Sequence, residues 1–211
     1  MKQPFLTASL RDSTDDAHRS IEGTRFARRL LASEVSLDEF SHYMAQLLPV
    51  YDAMESVLSS GLFGPFSDWR LHRASRLRQD LKGRRLKIGE ASLEYATAIE
   101  SAAERSPLFV LGHAYVRYFG DVTGGAVILR RAQAGWSEKK TWSFFDFGEI
   151  GSSKKIRGRL SDWLNRPELE SVEDKLIREA NKSFVHSRSI FEELEAHGKS
   201  AGPRVALAAS S

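Results

Sequence analysis

Apolar positions recur along this chain at the three-to-four-residue spacing of helices, and no alternating run long enough for a strand interrupts them. Leu6, Leu10, Ala17 and Ile21 share one face of a helix predicted from about Thr7 to Glu22, and a short helical piece follows from Phe26 to Ala32. Ser36 and Glu39 form a capping-box pattern, serine at the N-cap and glutamate three residues on. The helix they open carries Phe40, Met44, Leu47, Tyr51, Met54 and Leu58 on one stripe, until Gly61 and Gly64-Pro65 break it. Further helices are predicted over 68–87, 92–104 and 111–133, from Ser152 towards Trp163, and from Ser171 to about His197. The aromatic patch of Trp136, Trp142, Phe144, Phe145 and Phe147 reads as a loop with a short helical turn, packed by its own rings. The expected fold class is therefore all-α, a single-domain bundle of about eight helices over 1–197. The small, alanine-rich stretch 198–211 is expected to be a disordered tail.

The stretch from Leu111 to Gln133 departs from a simple amphipathic pattern. Leu108, Leu111, Tyr115, Phe119, Val122, Ala126 and Leu129 make an apolar stripe expected to face the core. Away from that stripe stand Gly120 and Gly124 at i, i+4 spacing, with Asp121 beside them and Gly125 following. Each glycine costs a helix interior about 1 kcal/mol relative to alanine. A missing Cβ offsets that cost where backbone must approach a flat or bulky object closely; a tight helix–helix contact, or a helix ending near Gly124, explains the glycines as well.

Composition narrows the chemistry. The 211 residues include no cysteine, which removes thiol nucleophiles, disulfides and thiolate-held metals, and fits a cytoplasmic setting. No secretory signal and no membrane-spanning apolar run is read at sequence level. A net charge of +3 with basic residues scattered among acidic ones gives no support for nucleic-acid binding. Basic clusters at Lys82 to Lys87 and Lys154 to Arg159 are placed to meet anionic groups.

On the first helix, His18 lies at the edge of the buried face with Glu22 one turn on and Arg11 two turns back. A histidine held by a carboxylate is a common metal-ligand arrangement; an exposed polar pair has the same spacing. Asp15-x-x-His18 and Glu39-x-x-His42 also have the acid-x-x-His spacing of di-iron bundles. Against that reading, Glu39 and His42 fall opposite the Phe40/Met44/Leu47 stripe, and Glu39 is already used as a cap.

Two segments bear a family resemblance. Leu10 to Glu22, with His18 and Glu22, resembles the proximal helix of haem oxygenases, and Tyr115-Val-Arg117-Tyr-Phe-Gly120-Asp121-Val-Thr-Gly124-Gly125 resembles their distal-helix signature. The resemblance extends over about 7–197. It implies haem as both substrate and cofactor, sandwiched between a proximal and a distal helix, with His18 as the iron's axial ligand and Glu22 orienting its free ring nitrogen. It implies that Gly120 and Gly124, with Gly125, let the backbone cover the haem, that Asp121 acts through ordered water in proton delivery, and that Arg117 and Tyr115 belong to the distal surroundings. It assigns the propionates to Arg11 and Arg157, with Lys154 or Lys155 nearby. The chain departs from the pattern at Ile156, where an aromatic is usual, and at Thr123 and Ala126, where serine and glutamine are frequent.

The implied activity is oxygenation of haem by dioxygen to biliverdin, carbon monoxide and ferrous iron, with the α-meso carbon as default target. No flavin or nicotinamide motif is present, so electrons are expected from a separate ferredoxin or reductase. A haem carrier or sensor on the same fold, and a helical di-iron oxidase, are the competing readings.

Overall fold

In the computed structural model, which describes residues 5–200 and the side chains up to 196, the helices fall in the expected order. They are α1 (Leu6–Glu22), α2 (Arg25–Leu31), α3 (Leu37–Leu58), α4 (Ala74–Asp80), α5 (Glu90–Arg105), α6 (Val110–Ala134), α7 (Ser153–Leu164) and α8 (Glu173–Ser200). Among the described residues no strand occurs, and no helix is long and apolar enough to cross a membrane. The capping box forms as read: the Ser36 hydroxyl accepts from the Glu39 N–H, and the Glu39 carboxylate accepts from the Ser36 N–H at 2.9 Å. Helix α8 extends to Ser200, past the expected end near His197. Residues 201–211, most of the expected tail, lie outside the described residues.

One predicted helix is mostly not a helix. Of 68–87 only Ala74–Asp80 is α-helical, because local polar bonds compete for the backbone on either side. Asp68 accepts from the Arg70 N–H at 3.1 Å, and Gly83 sits at φ +81°, where the chain turns out of the helix. The guanidinium of Arg73 is fully buried and is held by the carbonyls of Leu71 (2.7 Å), Phe144 (3.0 Å) and Asp146 (2.9 Å), above the Phe147 ring. Burial lowers its pKa to about 10, still far above neutrality, so it remains a cation neutralised by carbonyl dipoles. Asp80 at the end of α4 accepts from the N–H groups of Ser143 and Phe144, both at 2.9 Å. The aromatic loop with its short 3-10 turn (Ser143–Phe145) is thereby fixed over the bundle. Trp136, Trp142 and Phe145 surround Phe40 of α3.

Helix α3 runs through the core, with Phe40, Met44, Tyr51, Met54 and Leu58 fully buried. Helix α8 is the common support. It packs extensively on both α1 and α6, whereas those two make at most marginal contact with each other. At the α6 side, Gly112 brings the backbones together: a Cβ there would lie 2.6 Å from the Leu176 carbonyl. Beside it, buried His113 meets Glu179 at 3.3 Å, and Arg105 and Lys182 also bind that carboxylate. At the α1 side, Asn181 donates to the Ser13 carbonyl at 3.2 Å, and Phe184 meets His18 edge to face. Helix α7 closes one end, where Asn165 accepts from the N–H and hydroxyl of Thr7 at the start of α1.

Candidate functional site between two helices

Helix α6 runs unbroken through its glycines, which removes the reading that it ends near Gly124. Its buried side is rotated from the expected stripe. Leu111 and Val122 are buried as expected, but Leu108, Tyr115, Phe119 and Leu129 are only half-buried and Ala126 is exposed. The fully buried line is instead Leu111, Ala114, Tyr118, Asp121, Gly125 and Ala132, because two of its members carry polar groups that find partners on α3.

The glycines divide by what faces them. A Cβ on Gly125 would lie 2.7 Å from the Phe145 ring, so this glycine admits the aromatic loop. Among the described residues, a Cβ on Gly120 or Gly124 would meet no atom within 4 Å outside its own helix turn. Tight helix packing therefore does not explain those two. At about 100° per residue, His113, Gly120 and Gly124 lie within about 20° of one line along the helix. The side that rests on α8 at His113 is thus bare two turns later.

Asp121 was expected on the bare side but is turned inward. Its residue is 8% exposed, the Tyr51 hydroxyl donates to Oδ2, and Arg117 Nη2 donates to Oδ1 at 3.2 Å. Burial pushes the Asp121 carboxyl well above the usual carboxylate range, and the two donors are the groups that stabilise its charge. The Arg117 guanidinium also lies 5.7 Å from the Tyr51 ring centroid, and its buried Nε has no hydrogen-bond partner. An orphaned buried donor beside a carboxyl and two bare glycines marks a place where water or a polar ligand atom completes the bonding.

On α1, the His18 side chain is 56% exposed, and among the described residues neither ring nitrogen has a hydrogen-bond partner. Its Nδ1 lies 3.8 Å from Glu22 Oε1, within ion-pair range but too long for a hydrogen bond. Arg11 is exposed and bound to Asp12 at 2.9 Å. It faces Tyr115 of α6, whose phenol burial pushes up and the Arg11 charge pulls down. Arg157, Lys154 and Lys155 are exposed on the first turns of α7, with no bond to the other site residues. The structure thus joins Asp121 to Arg117, brings His18 near Glu22, and sets Arg11 near Tyr115.

Sequence reading missed Tyr51, which sat in the α3 stripe as one more core residue. The available signal was Glu55 four residues on, a carboxylate on the same buried side. The di-iron arrangement is absent among the described residues: no three potential ligands cluster there. Asp15 pairs with Arg19, Glu39 with Arg29, and half-exposed His42 lies 3.6 Å from Asp38.

A family profile described as Heme oxygenase matches residues 5–193. Human Heme oxygenase 1 is 30% identical over 206 residues, covering 90% of this chain and 72% of the human one. The crystal structure of heme oxygenase-1 from the cyanobacterium Synechocystis, in complex with heme, superposes with a TM-score of 0.85 at 26% identity, over 94% of this chain and 96% of that one. The heme oxygenase of Leptospira interrogans shares the fold with a TM-score of 0.82 at 24% identity, over 90% of this chain and 100% of that one. With a family match along nearly its whole described length, and two glycines on α6 that face no described atom, this chain belongs to the haem oxygenase family.

Proposed function

We propose that this chain binds haem between α1 and α6 and oxygenates it to biliverdin, carbon monoxide and ferrous iron, in the cytoplasm, with electrons from a separate ferredoxin or reductase. The observation that carries the reading is the pair Gly120 and Gly124. Neither glycine is required by any described atom, yet both sit mid-helix, where each costs about 1 kcal/mol. A flat ligand lying against that wall supplies the missing reason.

Haem, when bound, supplies the iron that activates dioxygen and the meso carbon that is oxidised. The imidazole of His18 has free nitrogens and is a suitable axial donor. After a small side-chain shift Glu22 would accept a hydrogen bond from the Nδ1–H of His18, fixing the tautomer that leaves the Nε2 lone pair free to ligate. On the other wall, Tyr51 and Arg117 hold the Asp121 carboxyl in one orientation. Burial raises the Asp121 pKa and so favours a proton on its carboxyl, and a group recessed behind the helix surface acts through ordered water rather than by direct contact. Arg11 and Arg157, with Lys154 or Lys155, offer charge to the two propionates, and the bare Gly120 and Gly124 backbone excludes bulk water from that face of the ring.

The test is hemin added to purified apo-protein, then reductant in the presence of catalase. An oxygenase shows a Soret band that is lost as biliverdin absorbance grows, whereas a carrier keeps its band. His18→Ala is expected to lose the ferric-histidine spectrum. Asp121→Ala is expected to keep haem binding while biliverdin formation falls severalfold, and unchanged turnover in that variant would remove Asp121 from the mechanism.

A further inference from the structure

Behind the bare wall, α3 and α6 cross with a repeated motif. Tyr51 of α3 donates to Asp121 of α6, and Tyr118 of α6 donates to Glu55 of α3 at 3.3 Å. Tyr51 and Glu55 are one turn apart on their helix, as Tyr118 and Asp121 are on theirs. The helices run in opposite directions here, so two tyrosine–carboxyl pairs face each other head to tail. Between them the tyrosine rings meet edge to face, with centroids 5.7 Å apart at 79°. Both rings are fully buried, and Glu55 is 9% exposed.

Glu55 is also bound from a third direction. It accepts the N–H of Arg73 and, at 3.2 Å, the N–H of Ala74, so it caps the start of α4 although it belongs to α3. The groups around it are Tyr51 on its own helix, Arg73 and Ala74 at the start of α4, and Tyr118 on α6. The nearest cation is Arg73, whose charge is itself tied to the carbonyls of the aromatic loop. Glu55 thus joins α3, α4 and α6 at the turn next to the Tyr51–Asp121 bond.

We infer that Glu55 is a positioning residue for haem oxygenation: by holding Tyr118 it fixes the register of α6 against α3, and its ionised form, which accepts from three donors at once, holds Tyr51 and Asp121 in the productive arrangement. The N–H groups of Arg73 and Ala74 and the Tyr118 hydroxyl converge on Oε1, with Ala74 shared by Oε2, and a charged oxygen holds these donors more strongly than the carbonyl oxygen of the neutral acid, so protonation loosens the hold on Tyr118. Burial raises its pKa to about 7, against the N–H groups of Arg73 and Ala74 and the Tyr118 hydroxyl, which lower it. The change of state therefore falls at neutrality. The inference rests on the proposed role of Asp121, and its test separates the two.

Two measurements are made on wild type, Glu55→Gln and Tyr118→Phe. The protonated-carboxyl infrared band of the apo-protein is titrated; wild type is expected to lose a component near pH 7, Glu55→Gln to lack it, and Tyr118→Phe to lose it at higher pH. Turnover of bound hemin is then expected to rise through the same pH in wild type, to be severalfold lower and flat in Glu55→Gln, and to have its limb moved upward in Tyr118→Phe, with hemin affinity unchanged in all three. A structural role alone lowers turnover at every pH and leaves the limb where it was. A limb that persists in Glu55→Gln, or stays in place in Tyr118→Phe, overturns the inference; should Glu55→Gln fail to fold, the infrared titration of wild type and Tyr118→Phe decides. If hemin is not turned over at all, the proposed function fails, while the infrared result still reports on Glu55.

Discussion

Three glycines within six residues of α6 do two different jobs, and single substitutions separate them. Gly125→Ala places a methyl 2.7 Å from the Phe145 ring, so the aromatic loop must shift; overpacking of this kind costs about 1–3 kcal/mol. Gly120→Ala and Gly124→Ala meet nothing and gain helix propensity, so the apo-protein is expected to be more stable by up to about 1 kcal/mol. The same two substitutions are expected to weaken hemin binding. Thermal melting of the apo-proteins beside hemin titrations would show it, and a Gly120→Ala protein that is both less stable and normal in hemin affinity would mean that the glycine serves the protein alone. The motif itself was legible in the sequence, since glycine is conspicuous in a helix. What faces each glycine was not, because the Phe145 contact spans a loop. Nor was the inward turn of Asp121, which depends on the Tyr51 hydroxyl from a helix seventy residues earlier.

At the scale of helices, α8 carries both walls of the proposed site, within the stretch of Leu176, Glu179, Asn181 and Phe184. Gly112 makes the α6 attachment close, with His113 and Glu179 locking it polar to polar; Asn181 and Phe184 make the α1 attachment. Gly112→Val forces α6 away from the α8 backbone at a position that faces no part of the proposed ligand. Expected are a loss of about 1–3 kcal/mol in apo stability and a weaker hemin complex, the second because the groove widens. Urea unfolding with a parallel hemin titration checks both, and a hemin affinity that survives the full stability loss would separate wall spacing from binding. Periodicity and caps disclosed α3, α5, α6 and α8 nearly to their ends. The 68–87 stretch misled because Trp69, Leu71, Leu77 and Leu81 keep helical spacing while Asp68 and the carbonyl-bound Arg73 fix turns, and a buried arginine has no signature in periodicity.

Over the whole molecule, buried carboxyl groups pull the pH dependence of stability in opposite directions, Glu179 one way and Glu55, with Asp121, the other. For Glu179, burial raises the pKa but His113, Lys182 and Arg105 outweigh it and hold the group down at about 2. Its contribution is therefore present above the unfolded-state value and is lost as pH falls through about 2. Glu55 has the reverse sign. With its pKa raised from 4.5 to about 7, the folded chain holds a proton that the unfolded chain releases, so its contribution is complete below about 4.5 and is lost as pH rises through about 7. A shift of that size corresponds to roughly 3 kcal/mol. The apo-protein should accordingly lose stability between pH 5 and pH 8, and Glu55→Gln should lose less over the same interval, by roughly that amount. Urea unfolding of both proteins at the two pH values measures the difference, and parallel losses in the two would place the titrating group elsewhere. A buried carboxyl whose ionisation costs stability is a local conflict of the kind expected at functional sites. Glu55 lies one helical turn from the tyrosine that holds Asp121, so the place where the fold gives up stability adjoins the carboxyl proposed to deliver protons.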